Sequence, residues 1–148
     1  MDSILGDLRR RHSRSLAKSC SENNCKLIVG SRKTHVIFKG EKMGDGTRRM
    51  CDCIIFRNDK KIILVEIKST GNIDMDEIIQ QFTNAGTRSL EITKPYRDKF
   101  EIFCLLLLRG QVRNHTKRLM LRYSRVRIAN NELGINQARC KSRLDSLI

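Results

Sequence analysis

Apolar and polar positions alternate along residues 51–68, CDCIIFRNDKKIILVEIK, and predict two antiparallel strands around the turn Arg57-Asn58-Asp59-Lys60. With a period of two, Cys51, Cys53 and Ile55 share one face, while Asp52 points to the side of Met50 and Ile54. On the second strand Ile63, Val65 and Ile67 share a face, and Leu64, Glu66 and Lys68 share the other. A matched register brings Asp52 beside Glu66, with Lys68 converging on them. Upstream, Cys25 to Val29 and His35 to Lys39 read as strands joined through Gly30-Ser31-Arg32-Lys33, and Gly40 to Arg49 as a flexible loop containing Gly44-Asp45-Gly46. Asp2 to Ser19, with Ile4, Leu5, Leu8, Leu16 and Ala17, is compatible with one basic amphipathic helix.

Downstream, Ser69-Thr70-Gly71-Asn72 is a turn, and Asp74 is the predicted N-cap of a helix with Glu77 three residues on. Ile78, Ile79, Phe82 and Ala85 give that helix an apolar stripe, and it should run to about Leu90. Pro95 breaks the chain. Phe100 to Leu108, too short to span a bilayer, reads as a buried central strand. Leu119 to Ala129 alternates as a strand or two, with a shift near Ser124-Arg125.

The charges in this pattern need an explanation. Burying a lone charge costs several kcal/mol, so a strand as apolar as Ile62 to Ile67 should carry Glu66 only with a compensating partner. Two neighbouring carboxylates repel, and either one takes up a proton or a cation sits between them. Oxygen ligands suit magnesium or manganese, which keep several waters and accept phosphate oxygens. Lys68 beside such a metal could orient or deprotonate water, or stabilise charge developing on a phosphate. The structural alternative is an ion pair of Lys68 with Glu66 or Asp52 at a sheet edge.

Asp52, thirteen residues, then Glu66-Ile67-Lys68 at the end of an apolar strand resembles the PD-(D/E)XK nuclease superfamily, with Cys51 where the proline usually stands. The resemblance implies an α/β fold with a restriction-endonuclease-like core, a central mixed β-sheet flanked by helices. It implies Asp52 and Glu66 as metal-binding carboxylates, the Ile67 carbonyl as a further ligand, Lys68 as the catalytic lysine, and Mg2+ or Mn2+ as cofactor. Many members carry a glutamine on the following helix in a context like QLxxY; Gln81-Phe82 resembles its start, which carries over Gln81 or Gln80. A third acid often completes the metal site, and Glu22, shortly before the first strand, is preferred over Asp7, Glu41 and Asp45. His12 is the one candidate for the helical histidine ligand of some members. The implied function is a metal-dependent nuclease hydrolysing phosphodiester bonds of DNA to leave 5′-phosphates. Size and basicity are similar to those of archaeal Holliday-junction resolvases, which are dimers, so a structure-selective endonuclease and a homodimer are expected. The alternatives are an RNA endonuclease and a non-catalytic basic protein that binds nucleic acid on a nuclease-like fold.

Composition changes the picture in two ways. The 148 residues, 39% of them hydrophobic and without a linker or repeat, predict a single domain with a basic C-terminal extension from about residue 110. Lys and Arg outnumber Asp and Glu by 30 to 16, and the resulting net charge of +14 attracts phosphate polymers or anionic membranes. With no tryptophan and no aromatic-faced basic helix, nucleic acid is the expected partner, DNA before RNA, and no membrane. Arg9, Arg10, Arg11 and Arg14 form one basic cluster; Arg109, Arg113, Lys117, Arg118, Arg122, Arg125, Arg127, Arg139, Lys141 and Arg143 form a second. Few aromatics are present to stack on bases, so contacts should fall on the phosphate backbone.

Six cysteines, Cys20, Cys25, Cys51, Cys53, Cys104 and Cys140, follow no signal peptide, which predicts free thiols in a reducing, cytoplasmic setting. Cys20, Cys25, Cys51 and Cys53 lack the usual zinc spacing, and Cys51 and Cys53 read as small core residues.

Overall fold

The run Ile62 to Ile67 becomes a strand covered on both faces and paired on both sides, and the elements around it follow from that burial. The computed structural model describes residues 3–69, 71, 73–110, 114, 117, 118, 120 and 125–148. Among them the chain runs through α1 (Ile4–Arg11), β1 (Cys20–Glu22), β2 (Cys25–Leu27), β3 (His35–Lys39), α2 (Gly40–Met43), β4 (Cys53–Arg57) and β5 (Lys61–Ser69). It continues through α3 (Met75–Thr93), β6 (Glu101–Arg109), β7 (Arg125–Ile128) and β8 (Asn131–Arg139). Of the positions singled out in the sequence, Asp2, Thr70, Asn72, Arg113, His115, Leu119, Leu121, Arg122, Tyr123 and Ser124 lie outside the described residues.

The fold is mixed α and β, with few helices and a six-stranded mixed sheet of order β3-β4-β5-β6-β8-β7. β3, β4 and β5 form an antiparallel meander, with Lys60 at φ 63° closing the β4–β5 turn. β6 then lies parallel to β5, a pairing that needs a long crossover, and α3 supplies it. The Asp74 carboxylate caps α3, accepting from the backbone N–H groups of Asp76 at 3.1 Å and Glu77 at 3.3 Å.

Two apolar clusters sandwich the sheet. The first holds Leu5 and Leu8 of α1, Met43 of α2 and Ile78, Phe82 and Ala85 of α3 against Phe38, Ile54, Phe56, Ile62, Leu64 and Leu106. The second is built on Ile55, Ile63, Val65, Ile67, Leu105 and Leu107. Its cover is the β1–β2 hairpin and the 140–148 segment, through Leu27 and Leu144. The expected sheet flanked by helices is therefore corrected: α1, α2 and α3 all pack on one face, and a short hairpin closes the other.

Four further expectations change. The N-terminal helix stops at Arg11 instead of reaching Ser19, because the chain turns at His12 and Leu16 bridges to the edge strand at Phe38. The expected loop from Gly40 begins with the short helix α2. The C-terminal region is no appendage: β8 pairs with β6 from Cys104↔Ile135 to Leu108↔Arg139, and Gly86 of α3 comes so close to β7 that an added Cβ would sit 2.4 Å from Ile128 Cδ1. The expectation of free thiols holds for Cys51 and Cys104 alone, since disulfides join Cys20 to Cys53 and Cys25 to Cys140. All four paired cysteines belong to the second cluster, where the hairpin folds back over β4. Cys51 lies in the first cluster, on the other face of the sheet from Cys20, Cys25 and Cys53, so the four do not form one zinc site.

Phe82 is fully buried between α3 and the sheet. Phe82→Ala should lower the unfolding free energy by about 3–5 kcal/mol in urea titration; a loss under about 1 kcal/mol would contradict this account of the core.

Candidate active site

The site is built where β4 begins and β5 ends. The β4–β5 register pairs Cys53 with Val65, so the next step sets Asp52 opposite Glu66, as the alternation predicts. Asp52 is not itself in the strand. It occupies a bend, and its Oδ2 accepts a hydrogen bond from the Ile67 backbone N–H at 2.7 Å. The bend also corrects the expected sharing of a face by Cys51 and Cys53: Cys51 turns into the helix-covered cluster with Met50 and Ile54, and Cys53 into the opposite one.

Three contacts from α3 hold α2 and the segment leading to this bend, and one from α2 holds the bend itself. Arg88 donates from Nε to the Met43 carbonyl at 2.8 Å, Asn84 donates to the Arg49 carbonyl at 2.9 Å, and the Arg49 guanidinium pairs with Glu77. Gly40 donates its N–H to the Asp52 carbonyl at 3.0 Å. A Cβ at Gly40 would fall 1.6 Å from the Cys51 carbonyl oxygen, so only glycine admits this approach. Sequence reasoning missed Gly40, Glu77, Asn84 and Arg88 as positioning residues. The polar stripe Glu77, Asn84, Arg88 at helical spacing was the available signal.

Glu66 is 1% exposed. Burial, a hydrogen bond shared with the Asp52 carboxyl, and the Asp52 charge push its pKa up to about 9, while the Lys68 charge pulls the other way. Glu66 Oε2 has no hydrogen-bond partner. Gln81 lies on the buried face of α3 and its Oε1 is likewise buried without a partner, whereas Gln80 is exposed. Of the two glutamines, Gln81 is the one turned inward. Lys68 is partly exposed at the end of β5.

The remaining candidates are engaged elsewhere or stand apart. Glu22 is exposed in β1, in the hairpin over the opposite face. Asp7 accepts from the Tyr96 hydroxyl, which holds its carboxyl below the usual range, and pairs with Arg10 at 3.3 Å and Arg11 at 3.2 Å. Asp45 accepts from the Thr47 N–H at 2.9 Å, and Glu41 is exposed on α2. His12 sits edge-on to Phe38 with ring centroids 6.0 Å apart, and burial, aided by Arg88 and Arg11, lowers its pKa. His35 is buried, with Nδ1 2.7 Å from Thr34 Oγ1 and Nε2 3.5 Å from Asp145.

Among the described residues no three His, Cys, Asp or Glu side chains group as metal ligands. The donors that do converge are two carboxyls, with an orphaned Glu66 oxygen, on adjacent strands. Such a set, completed by a backbone carbonyl and water, fits a hard divalent cation that keeps much of its hydration.

Two expectations follow. Because its folded-state pKa lies above the ordinary 4.5, Glu66 stabilises the metal-free fold at low pH, and that contribution is lost as pH rises toward 9. In chelator-treated protein, unfolding free energy should fall by on the order of 3 kcal/mol between about pH 5 and about pH 9, and Glu66→Gln should flatten most of the slope. A flat wild-type profile would show that Glu66 is not held protonated. Gly40→Ala should cost about 1–3 kcal/mol through overpacking and speed hydrogen exchange at the Ile67 amide, since it displaces the Asp52 bend; unchanged Ile67 exchange would refute that coupling.

Comparison of the chain with protein-family models, curated proteins and solved structures finds no match, so the chemistry of this site stands on its own residues.

Proposed function

We propose that the protein is a metal-dependent nuclease that hydrolyses phosphodiester bonds of DNA. The observation that carries the reading is the buried Glu66, set opposite Asp52 and followed by Lys68 at the exposed end of a central strand. The order α1, β3-β4-β5 meander, α3, then β6 parallel to β5 supports this reading, because it sets the Asp52 and Glu66 strands side by side in a mixed sheet covered by α3. On this reading Asp52, Glu66 and the Ile67 carbonyl would hold Mg2+ or Mn2+. When bound, such a cation would polarise the scissile phosphate and acidify a water molecule. Lys68 positions water at the strand end or balances charge developing on the phosphate. Gln81 orients the site from the helix side, and Gly40 fixes the Asp52 bend.

Charge supports a nucleic-acid substrate unevenly. In the first basic cluster Arg9 donates to the carbonyls of Arg32 and His35, and Arg10 and Arg11 pair with Asp7. The second cluster keeps Lys117, Arg118, Arg127, Arg139, Lys141 and Arg143 exposed. These side chains would offer the phosphate contacts, and a strand lying on them would neutralise charge without base readout. Among the described residues no helix is long and apolar enough to cross a membrane. The second reading, a non-catalytic protein that binds nucleic acid, rests on the same exposed cations without the site.

Cleavage of labelled single-stranded, duplex and four-way-junction DNA, and of RNA, in magnesium, manganese or EDTA separates these readings. Metal-dependent cutting should fall by at least about 100-fold in Glu66→Ala and in Lys68→Ala while binding persists. Binding without cutting in any metal would favour the scaffold, and preferred cutting of RNA would move the substrate class.

A further inference from the structure

We propose that the cover of β1, β2 and residues 140–148 is a redox latch, closed by two disulfides that open in a fixed order, Cys25–Cys140 before Cys20–Cys53. Both cross-links converge on one hairpin. Cys20 begins β1 and is joined to Cys53, the first residue of β4; Cys25 begins β2 and is joined to Cys140, just beyond β8. The hairpin is tied at one end to the strand that follows Asp52 and at the other to the far side of the sheet.

Little else holds it. Of residues 20–27, Leu27 is the one buried aliphatic side chain. The hairpin's other links are the Arg109 guanidinium to the Asn23 carbonyl at 2.6 Å and the Lys141 N–H to the Lys26 carbonyl at 2.7 Å; just beyond it Ile28 donates to the Ser142 carbonyl and accepts from the Leu144 N–H, both at 2.9 Å, while the 140–148 segment is pinned separately by Arg57 to Asp145 at 3.4 Å and to the Ile148 carbonyl at 3.2 Å. Beneath lie Ile55, Ile63, Val65, Ile67, Leu105 and Leu107, the full apolar face of the central strands. A thin cover over a large apolar face depends on its covalent ties more than a packed helix would.

Burial sets the order. Cys20 and Cys25 are 0% exposed and Cys53 is 4% exposed, whereas Cys140 is partly exposed. A thiolate must reach the sulfur it attacks, so Cys140 Sγ is the point of entry. A dithiol reductant forms a mixed disulfide on Cys140 Sγ, the Cys25–Cys140 bond breaks, and Cys25 leaves as a thiolate that takes up a proton. The second thiol of the reductant then closes on the first, releasing Cys140 as a thiol and carrying away two electrons' worth of oxidation as a cyclic disulfide. With Cys25 freed, β2 can lift and expose the Cys20–Cys53 bond to the same exchange. Cys51 and Cys104 do not compete, since both are fully buried in the cluster on the other side of the sheet.

The latch stands whether or not the site cuts nucleic acid, and its test reads thiols. The oxidised full chain is exposed to dithiothreitol, quenched at intervals with iodoacetamide and mapped by peptide mass spectrometry. Cys25 and Cys140 should label first, and Cys20 and Cys53 about tenfold more slowly or slower still. In the Cys25→Ser/Cys140→Ser variant, reduction of Cys20–Cys53 should accelerate by about tenfold, and hydrogen exchange should rise over residues 20–29 and remain unchanged in α3. In Cys20→Ser/Cys53→Ser, the Cys25–Cys140 rate should match the parent. Simultaneous labelling of all four cysteines, earlier labelling of Cys20 and Cys53, or four free thiols in the air-oxidised chain would each overturn the latch.

Discussion

A carboxyl group with 1% exposure in the central strand is the constraint on which the rest of this structure depends. Glu66 cannot be ionised alone in that position, and it cannot share a site with an ionised Asp52 without repulsion. A proton and a cation are the two physical answers, and the architecture accommodates either. The β4–β5 register fixes the separation along the strands, and the Ile67 amide orients Asp52. Gly40 and the polar stripe of α3 clamp the bend that Asp52 occupies. None of these contacts is needed to bury apolar surface. They are understandable as the support that a strained electrostatic pair requires.

The two faces of the sheet answer this demand differently. On the Glu66 side a nineteen-residue helix with a strong N-cap covers the sheet and grips the loop before Asp52. On the other side the cover is one hairpin and one short segment, and covalent cross-links replace helix packing. Ile67 and Glu66 are neighbours in sequence but point into these different environments. The strand that carries Glu66 is thus held by van der Waals packing from one direction and by a tethered lid from the other.

Local pattern made the central elements legible. The period of two gave the hairpin and the facing of Leu64, Glu66 and Lys68, and the Asp74 cap with its apolar stripe gave α3. What failed was non-local or polar. β8, NELGINQAR, carries too few apolar residues to announce a strand, and becomes one because β6 offers it an edge. The β1–β2 hairpin rests on Asn23 at φ 48° and Asn24 at φ 64°, a turn signal that was present in the paired asparagines. The cysteine pairs link positions 33 and 115 residues apart, which no local pattern encodes. Period-two reasoning was also carried one residue too far: it ran through Asp52 to Cys51, although the backbone bends there and reverses the facing.

The basic surplus has to be divided before it bears on function. An arginine that hydrogen-bonds backbone carbonyls or neutralises Asp7 is already part of the fold, and Arg9, Arg10 and Arg11 belong largely to that group. The exposed cations of the β7–β8 side contribute little to packing, and their mutual repulsion disfavours the compact state in isolation. A polyanion laid along them would remove that repulsion and release counterions at the same time. If the proposed function holds, the charge that would draw a polyanion is therefore the charge that the folded chain uses least, on the C-terminal strands beside the parallel pair β5 and β6, whose ends carry Lys68 and Arg109.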